Sequence, residues 1–417
     1  MKKSLFALAA VGAFAGAAQA QSSVSVYGVM DGSYTATSNK SKTTAAGAET
    51  TTNQRNTVNG DGALATSRLG FRGNEDLGGG MSAQFQLEYD LVNIGNGGNG
   101  TETYAAQQGT DTNARSEGLG ARYSWIGISD KTMGGLRIGR QEASIHSAYG
   151  VGAAGMQNNM AGTLYSSGTG TNAALSATGP NIIVATVRPY GVFVNQALTY
   201  VSPKISGFSG QVQYSDNAYS TNTAAVTGAK QFGANITFDG IKNLTVAYGF
   251  QQSGVVVDTA VAIGSVNGLT PSNLTTAVSV GNTKTVSQVL AANYNFGPVQ
   301  AFALATQLKI TTLQNQTVTR DQTAYELGAR APLSKTITAF GSYFTGDKKM
   351  DGNSTTLSAS TAGRADLSGF QLGAMYNFSK RTTAYAIYGT QAVKGKEGAT
   401  GTKISSDGYA VGMRHTF

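Results

Sequence analysis

The chain has 417 residues and a formal net charge of +8 at pH 7, from 30 lysines and arginines against 22 aspartates and glutamates. Charged residues are only 12% of the sequence, about half the usual fraction in a soluble domain, whereas glycine occurs 55 times and proline 6 times. Cysteine is absent, which excludes disulfide bridges, thiol catalysis and cysteine metal sites, and the composition as a whole favours a large all-β protein.

Residues 1–20 have the pattern of a cleaved secretory signal peptide. Lys2 and Lys3 precede an apolar run from Leu5 to about Ala18, and a small-residue cleavage site ends at Ala20. An N-terminal membrane anchor is the alternative, but this run is shorter than the ~20 apolar residues of a membrane helix. No apolar run in residues 21–417 reaches the length of a membrane helix. We therefore expect a single domain there, which could cross a membrane only as strands.

From residue 23 onward, apolar and polar residues alternate in short segments, which is typical of β-strands with two different faces. In one segment, Met81, Phe85 and Tyr89 fall on one face, and Gln84 and Glu88 fall on the other. The pattern predicts sixteen strands, with fourteen or eighteen as open alternatives, near residues 23–36, 62–73, 80–93, 119–130, 134–142, 194–202, 207–218, 229–239, 242–254, 284–296, 298–311, 320–331, 335–347, 366–378, 381–394 and 404–417.

Short and long connections alternate between these segments. Seven connections are short turns, such as the one at 131–133, and the others are mostly long and rich in Gly, Asn, Ser and Thr, such as 37–61 and 94–118. An outer-membrane barrel has this arrangement, with short periplasmic turns at one rim and long extracellular loops at the other. We therefore predict an all-β fold, a sixteen-stranded antiparallel transmembrane β-barrel.

The chain ends inside a strand. Tyr409, Val411, Met413 and Phe417 share one large apolar face of this segment. A half-buried edge strand of a soluble sandwich would alternate in the same way. Lipid satisfies no backbone hydrogen bonds, so a sheet in a membrane must close on itself, and we predict that the last strand pairs with the first.

Six motifs in this order resemble those of betaproteobacterial general diffusion porins of Gram-negative bacteria. They are Ser22–Asp31, Ser67–Gly80, Leu136–Gln141, Ser202–Phe208, Asn377–Thr382 and Val411–Phe417. The resemblance implies a trimeric, water-filled barrel in the outer membrane, with a third extracellular loop that folds inward. It also implies contact with lipid and lipopolysaccharide, help from periplasmic chaperones, and a C-terminal phenylalanine read by the barrel-assembly machinery.

Charged side chains that face the lumen decide which ions pass through such a barrel. Arg68 and Arg72 alternate with apolar residues of their strand, and Arg122 opposes Tyr123 and Trp125, so all three arginines should face the lumen. The resemblance implies that Arg68 and Arg122 form one wall of the pore constriction, with Arg72 nearer the periplasm. The alternative is that each arginine anchors loop backbone or pairs with an acid across the barrel.

The segment 143–193 matches the inward-folded loop of the family by order and length. No carboxylate occurs between Glu142 and Asp216, and Arg188 adds a positive charge near the end of the loop. With no loop carboxylate opposite the arginine wall, we predict a moderate anion preference; a neutral loop that simply packs against the wall is the alternative. Parity predicts further pore-lining charges at Asp31, Glu88, Lys309, Arg320, Glu326, Arg330 and Arg414.

These features predict a channel for passive diffusion of small hydrophilic solutes and ions, with no enzymatic activity, cofactor or metal site. A channel specific for a sugar or an organic acid is the main alternative, and an adhesin barrel is another. An outer-membrane hydrolase is disfavoured because neither histidine, His146 or His415, belongs to a recognisable Ser-His-Asp arrangement. Positive charge is spread along the chain without a basic cluster, so nucleic acid is not an expected partner.

Overall fold

The computed structural model describes residues 23–45, 47–91, 119–165, 190–218, 228–256, 283–312, 318–350, 363–397 and 400–417. The predicted signal peptide, residues 1–20, and Arg188 lie outside these ranges. Within the described ranges, no helix has the length and apolar character needed to cross a membrane.

The described residues form antiparallel strands and a short helix that follows β6. The strands are β1 Ser23–Ala45, β2 Ala48–Asp61, β3 Arg68–Gly78, β4 Met81–Leu91, β5 Leu119–Asp130, β6 Gly134–Glu142, β7 Phe193–Val201, β8 Phe208–Ala218, β9 Gly228–Phe238, β10 Leu244–Val256, β11 Thr283–Asn295, β12 Gln300–Thr312, β13 Val318–Pro332, β14 Ile337–Met350, β15 Gly363–Asn377, β16 Thr382–Glu397 and β17 Thr400–Thr416. The helix is α1, Ser144–Val151.

From β3 to β17 each strand pairs with the next one in sequence, and β17 pairs with β1 to close the sheet. β3 pairs with the first part of β1, Ser23–Val29, and β2 pairs with the remainder from Gly32 to Ala45. β2 and β3 therefore occupy one position in the wall, and the barrel has sixteen strands, as predicted. Phe417 and Gly28 exchange backbone hydrogen bonds of 3.0 and 3.1 Å, which confirms the predicted pairing of the last strand with the first.

The region between β1 and β3 differs from the prediction. Residues 37–61 were predicted as a loop, but they continue β1 and form β2, which extend the wall as a long hairpin. The predicted strand 62–73 begins only at Arg68, because residues 62–67 leave the strand register and form hydrogen bonds with Asp31 of β1. The backbone N–H groups of Leu64 and Ala65 donate to the Asp31 carboxylate at 3.2 and 2.6 Å, which holds this interruption in place.

Alternate residues of the strands separate an apolar outer face from a polar inner face. On β17, Tyr409, Val411, Met413 and Phe417 are all exposed on the outside, as the pattern predicts. These side chains face lipid, because a band of large exposed apolar side chains around a closed barrel is the surface that contacts a bilayer.

Short turns connect the strands at the rim that also holds the two ends of the described chain. They comprise residues 79–80, 131–133, 202–207, 239–243, 296–299, 333–336 and 378–381. The prediction placed the first of these turns at 74–79, but β3 continues to Gly78. Gly78, Gly79 and Gly80 all have positive φ, so the turn needs residues without a Cβ and cannot begin earlier.

Candidate pore constriction

The segment that follows β6 lies inside the barrel. Ile145 and Tyr149 of α1 are fully buried, and α1 packs against β9, β10 and β11. The inner side chain of Asn235 donates to the carbonyl of Ser144 at 2.6 Å, and that of Asn293 on β11 donates to the carbonyl of Val151 at 2.9 Å. The helix is therefore fixed to one side of the inner wall.

Residues 152–165 then follow the inner wall past β12 and β13 to β15 and β16, and side chains that point inward hold them there. Arg330 donates to the carbonyl of Ala154 at 3.1 and 2.6 Å, and the Leu164 N–H donates to Glu326 at 2.7 Å. Gln371 donates to two carbonyls of the segment, at residues 160 and 161, at 3.0 and 2.9 Å. Arg330 and Glu326 face inward as predicted, but both are used to anchor backbone.

The tip of the inward segment rests on the interruption between β2 and β3. The Asn159 N–H donates to the carbonyl of Ala63 at 3.1 Å, and its side chain donates to the carbonyl of Gly62. Met160 packs in an apolar cluster with Ala63 and Leu64. Asp31, predicted to line the pore, is buried beneath this contact and accepts a hydrogen bond from the Tyr385 hydroxyl, so its role is structural.

Arg68 and Arg122, the two residues of the predicted arginine wall, both lie beside acids of the strand between them. Nε of Arg122 lies 2.7 Å from one carboxylate oxygen of Glu88, and its Nη1 lies 3.1 Å from Asp90. Nε of Arg68 lies 3.6 Å from the other oxygen of Glu88. These acids come from β4, the strand between the two arginines, and not from the loop, in which no carboxylate was expected.

Arg122 faces inward for a reason that the alternation did not reveal. Tyr123 and Trp125 were predicted to face lipid, but on β5 the lipid-facing residues are Ile126 and Ile128, exposed by 65% and 57%. A register shift in the pairing of β4 with β5 skips Arg122, so its backbone is opposite no residue of β4 in the strand register. This bulge lets Arg122 and the neighbouring Tyr123 lie on the same inner surface.

A second group of inner side chains lies on the periplasmic side of the arginine wall. Arg72, as predicted, faces inward and lies over the ring of Tyr27, with 5.2 Å from Cζ to the ring centroid. Arg137 lies over the ring of Trp125 at 4.6 Å. Arg137 was not among the predicted site residues, although its position between Leu136 and Ile138 already gives it inward parity.

The prediction for Lys309 is wrong. On β12 the apolar residues Phe302, Leu304 and Leu308 are buried inside the barrel, so Lys309 lies on the outer face and is exposed. Leu304 packs in the same cluster as Tyr149 of α1. The apolar face of this strand packs against the inward segment. Alternation alone cannot distinguish such a face from one that contacts lipid.

Other inner charges lie away from the arginine wall. Arg320 and Arg414 face inward as predicted, and Nε of each has no hydrogen-bond partner among the described residues. Lys348 is almost completely buried near Arg320 and was missed, although it has the inward parity of Phe344. On the described strands, inward cations outnumber inward anions: Arg68, Arg72, Arg122, Arg137, Arg320, Arg330, Lys348 and Arg414 against Asp31, Glu88, Asp90, Glu142 and Glu326.

The histidines show no catalytic arrangement in the described part of the chain. His146 lies in a ring cluster, with Nδ1 at 3.2 Å from the Tyr190 hydroxyl. His415 faces outward near Thr382. Among the described residues, no group of three His, Cys, Asp or Glu side chains is placed to hold a metal ion.

Comparison with known proteins gives one consistent family. A family model described as Gram-negative porin matches residues 7–396. An outer membrane porin protein of Bordetella pertussis is 29% identical over an alignment of 444 residues, and outer membrane porin protein 32 of Delftia acidovorans is 28% identical over 439, each covering 100% of both chains.

Solved structures share the fold. The anion-selective porin from Comamonas acidovorans has a TM-score of 0.57 at 23% identity, and the alignment covers 95% of this chain and 100% of that porin. The trimer form of OmpT from Vibrio cholerae has a TM-score of 0.56 at 14% identity, over 95% of this chain and 99% of its own.

Proposed function

Because the chain belongs to the Gram-negative porin family and is an outer-membrane channel protein rather than an enzyme, we propose that it conducts small hydrophilic solutes and ions by passive diffusion with a moderate anion preference. The observation that carries the anion preference is the surplus of cations over anions on the inner face of the described strands. Positive charge inside a low-dielectric wall raises the local anion concentration and lowers that of cations. The similarity to an anion-selective porin agrees with this sign.

The narrowest part of the proposed passage lies between the inward segment, about 143–193, and the wall that carries Arg68 and Arg122. Glu88 and Asp90 neutralise much of the field of these two arginines, so the selectivity there is moderate. Additional positive potential comes from Arg72 and other inner cations outside the pairs. Arg188 lies outside the described residues and remains part of this proposal only through its position in the sequence.

The proposal includes the assembly of the protein. The precursor loses residues 1–20 on export, and the mature chain meets periplasmic chaperones before insertion. The apolar face from Tyr409 to Phe417 is the segment read by the barrel-assembly machinery, and the exposure of its side chains on the barrel surface supports this role. The mature barrel forms a homotrimer among lipid and lipopolysaccharide, in line with the trimer form of a protein of the same fold.

Ion substitution in planar bilayers tests the proposal. Refolded protein, verified by heat-modifiable mobility on a gel, is expected to give stepwise conductance in potassium chloride. Replacing chloride by a larger anion is expected to lower this conductance more than replacing potassium by a larger cation. Equal or opposite sensitivity would contradict the anion preference, and the absence of conductance steps from folded protein would contradict the channel.

A further inference from the structure

We propose that the periplasmic half of the lumen holds a binding site for small aromatic carboxylates, formed by Trp125 and Arg137 and extended by Gln86, Tyr27 and Arg72. We call these five residues the aromatic shelf. The site rests on the proposed function, since a solute must be able to enter the lumen to reach it. It goes beyond that function because it gives the passage a preferred chemical class of solute.

The two rings of the aromatic shelf are fixed in place by one amide. Gln86 donates through Nε2 to the Tyr27 hydroxyl at 2.6 Å, and its Oε1 accepts from Nε1 of Trp125 at 3.2 Å. The polar edges of both rings are thus satisfied by the wall. Arg72 lies over the face of Tyr27 and Arg137 over the face of Trp125, so a solute meets the guanidinium groups with the rings behind them.

Two glycines keep the wall beside the rings flat. A Cβ at Gly70 would lie 2.3 Å from Cζ of Tyr27, so only glycine lets this ring lie down on β3. A Cβ at Gly127 would lie 3.0 Å from Cγ of Arg137, so the stem of Arg137 crosses β5 at this glycine on its way to Trp125. The close approach of each side chain to a bare backbone makes an open, low surface without filling the lumen.

The shelf arginines differ from those of the constriction. Arg122 has two acidic partners, whereas neither Arg72 nor Arg137 lies within ion-pair distance of an acid in the described part of the chain. A third comparison is Arg330, which lies over Phe302 at 5.1 Å but is occupied by the carbonyl of Ala154. Among the described cation–π pairs, the shelf pairs differ from those of Arg122 and Arg330 in that neither an acid nor a loop carbonyl occupies the guanidinium group.

An aromatic carboxylate matches both halves of this surface. A planar guanidinium binds a carboxylate through two parallel hydrogen bonds along its edge, and its flat face stacks on an aromatic ring. Small inorganic anions would use the hydrogen bonds of the guanidinium groups alone, without the stacking. Arg72 and Trp125 flank Gln86 in the strand register, about 10 Å apart across two strand spacings, so a single benzene ring fits in front of Gln86.

The position of the shelf relates it to the constriction. Gln86 precedes Glu88 by two residues on β4, which places the shelf about 7 Å toward the periplasm from the arginine wall. A solute that enters from outside reaches the shelf after it has passed the constriction. The shelf is therefore a low-affinity binding site that a solute occupies before it leaves the channel on the periplasmic side.

The sequence supplies a direct reporter, because Trp125 is the only tryptophan of the chain. Benzoate is added to the folded, detergent-solubilised protein while tryptophan emission is recorded. We expect a saturable change for benzoate, a much weaker response to cyclohexanecarboxylate, and none to acetate. Arg137→Gln should raise the concentration for half-saturation about tenfold, since it removes a charge-assisted contact. Arg414→Gln, which removes an inner arginine elsewhere, should leave it unchanged.

A linear, unsaturable response to benzoate, an equal response to acetate, or equal affinities of the two arginine variants would overturn the proposal. Arg137→Lys, which keeps the charge, should recover part of the affinity and guards against a fold defect in Arg137→Gln. Emission measures binding without ion flow. Saturable binding without conductance would therefore contradict the proposed function only, and conductance without saturable binding would contradict the aromatic shelf only.

Discussion

Replacing Glu88 with glutamine is expected to make the channel more selective for anions. Glu88 is buried in the wall and lies 3.6 Å from Arg68 and 2.7 Å from Arg122. The substitution keeps the shape and removes one negative charge from the only strand that lies between the two arginines. Asp90 then remains as the single acidic partner of Arg122, at 3.1 Å.

The magnitude follows from Coulomb's law. An ion that passes about 7 Å from the Glu88 carboxylate, at an effective dielectric constant of about 40, interacts with it by about 1.2 kcal/mol without salt. Screening at 0.1 M salt, where the Debye length is about 10 Å, reduces this to about 0.6 kcal/mol. Since the interaction has opposite signs for chloride and potassium, their permeability ratio should rise roughly sevenfold, and by less than about twofold at 1 M salt.

The assay is the zero-current potential of wild-type and Glu88→Gln channels at low and high salt. Asp239→Asn is the matched control, because Asp239 also forms an ion pair, 2.7 Å from Lys204, but at an exposed turn of the rim. The control should leave the permeability ratio close to that of the wild type. A Glu88→Gln channel with an unchanged ratio, or with a ratio changed as much as in the control, would refute the reasoning.

Three further substitutions test the contacts that hold the lumen and close the barrel. Gln371→Leu removes two donors to carbonyls of the inward segment, so open-channel current noise should rise about twofold or more, and unchanged noise would contradict this anchor. Gly28→Val should sharply lower the heat-modifiable folded fraction, because its Cβ would lie 2.3 Å from the terminal aromatic ring, whereas Gly32→Val, with nothing within 4 Å, should fold normally. Tyr385→Phe removes the donor to Asp31 and should lower the free energy of unfolding by about 2 kcal/mol in a urea titration in lipid vesicles; an unchanged urea midpoint would show that this hydrogen bond does not stabilise the fold.

The architecture was predictable because lipid imposes a strict rule on the sequence. Every strand must alternate and every backbone group must pair, so alternation and loop lengths were enough to predict sixteen strands, the short-turn rim and the closure by β17. The same rule gave the outward face of Tyr409 and Met413 and the inward face of Arg414.

The errors arise where the lumen contains protein instead of water. On β12, Leu304 and Leu308 face inward because the inward segment covers them, and an apolar face against protein has the same pattern as one against lipid. Lys309 was misplaced for that reason. At Arg122, the correct direction came from a bulge, which alternation cannot detect.

The pairing of the arginine wall was partly predictable. Glu88 was correctly placed on the inner face, but its distance to Arg68 and Arg122 depends on which strands are neighbours and on their register. Opposing acids were considered only in the loop, across the lumen, and not on the strand between the arginines. The extension of β1 into a hairpin was also hidden, since its Thr, Asn and Lys residues are typical of loops.

The zero-current potential of the wild-type protein under a tenfold potassium chloride gradient tests the central claim most directly. The cationic surplus on the inner face predicts a potential of the sign set by chloride, smaller than the ideal chloride value and smaller still when both salt concentrations are raised. A potential of the sign set by potassium would mean that Glu88, Asp90 and Glu326 dominate the field in the lumen, and would contradict the account.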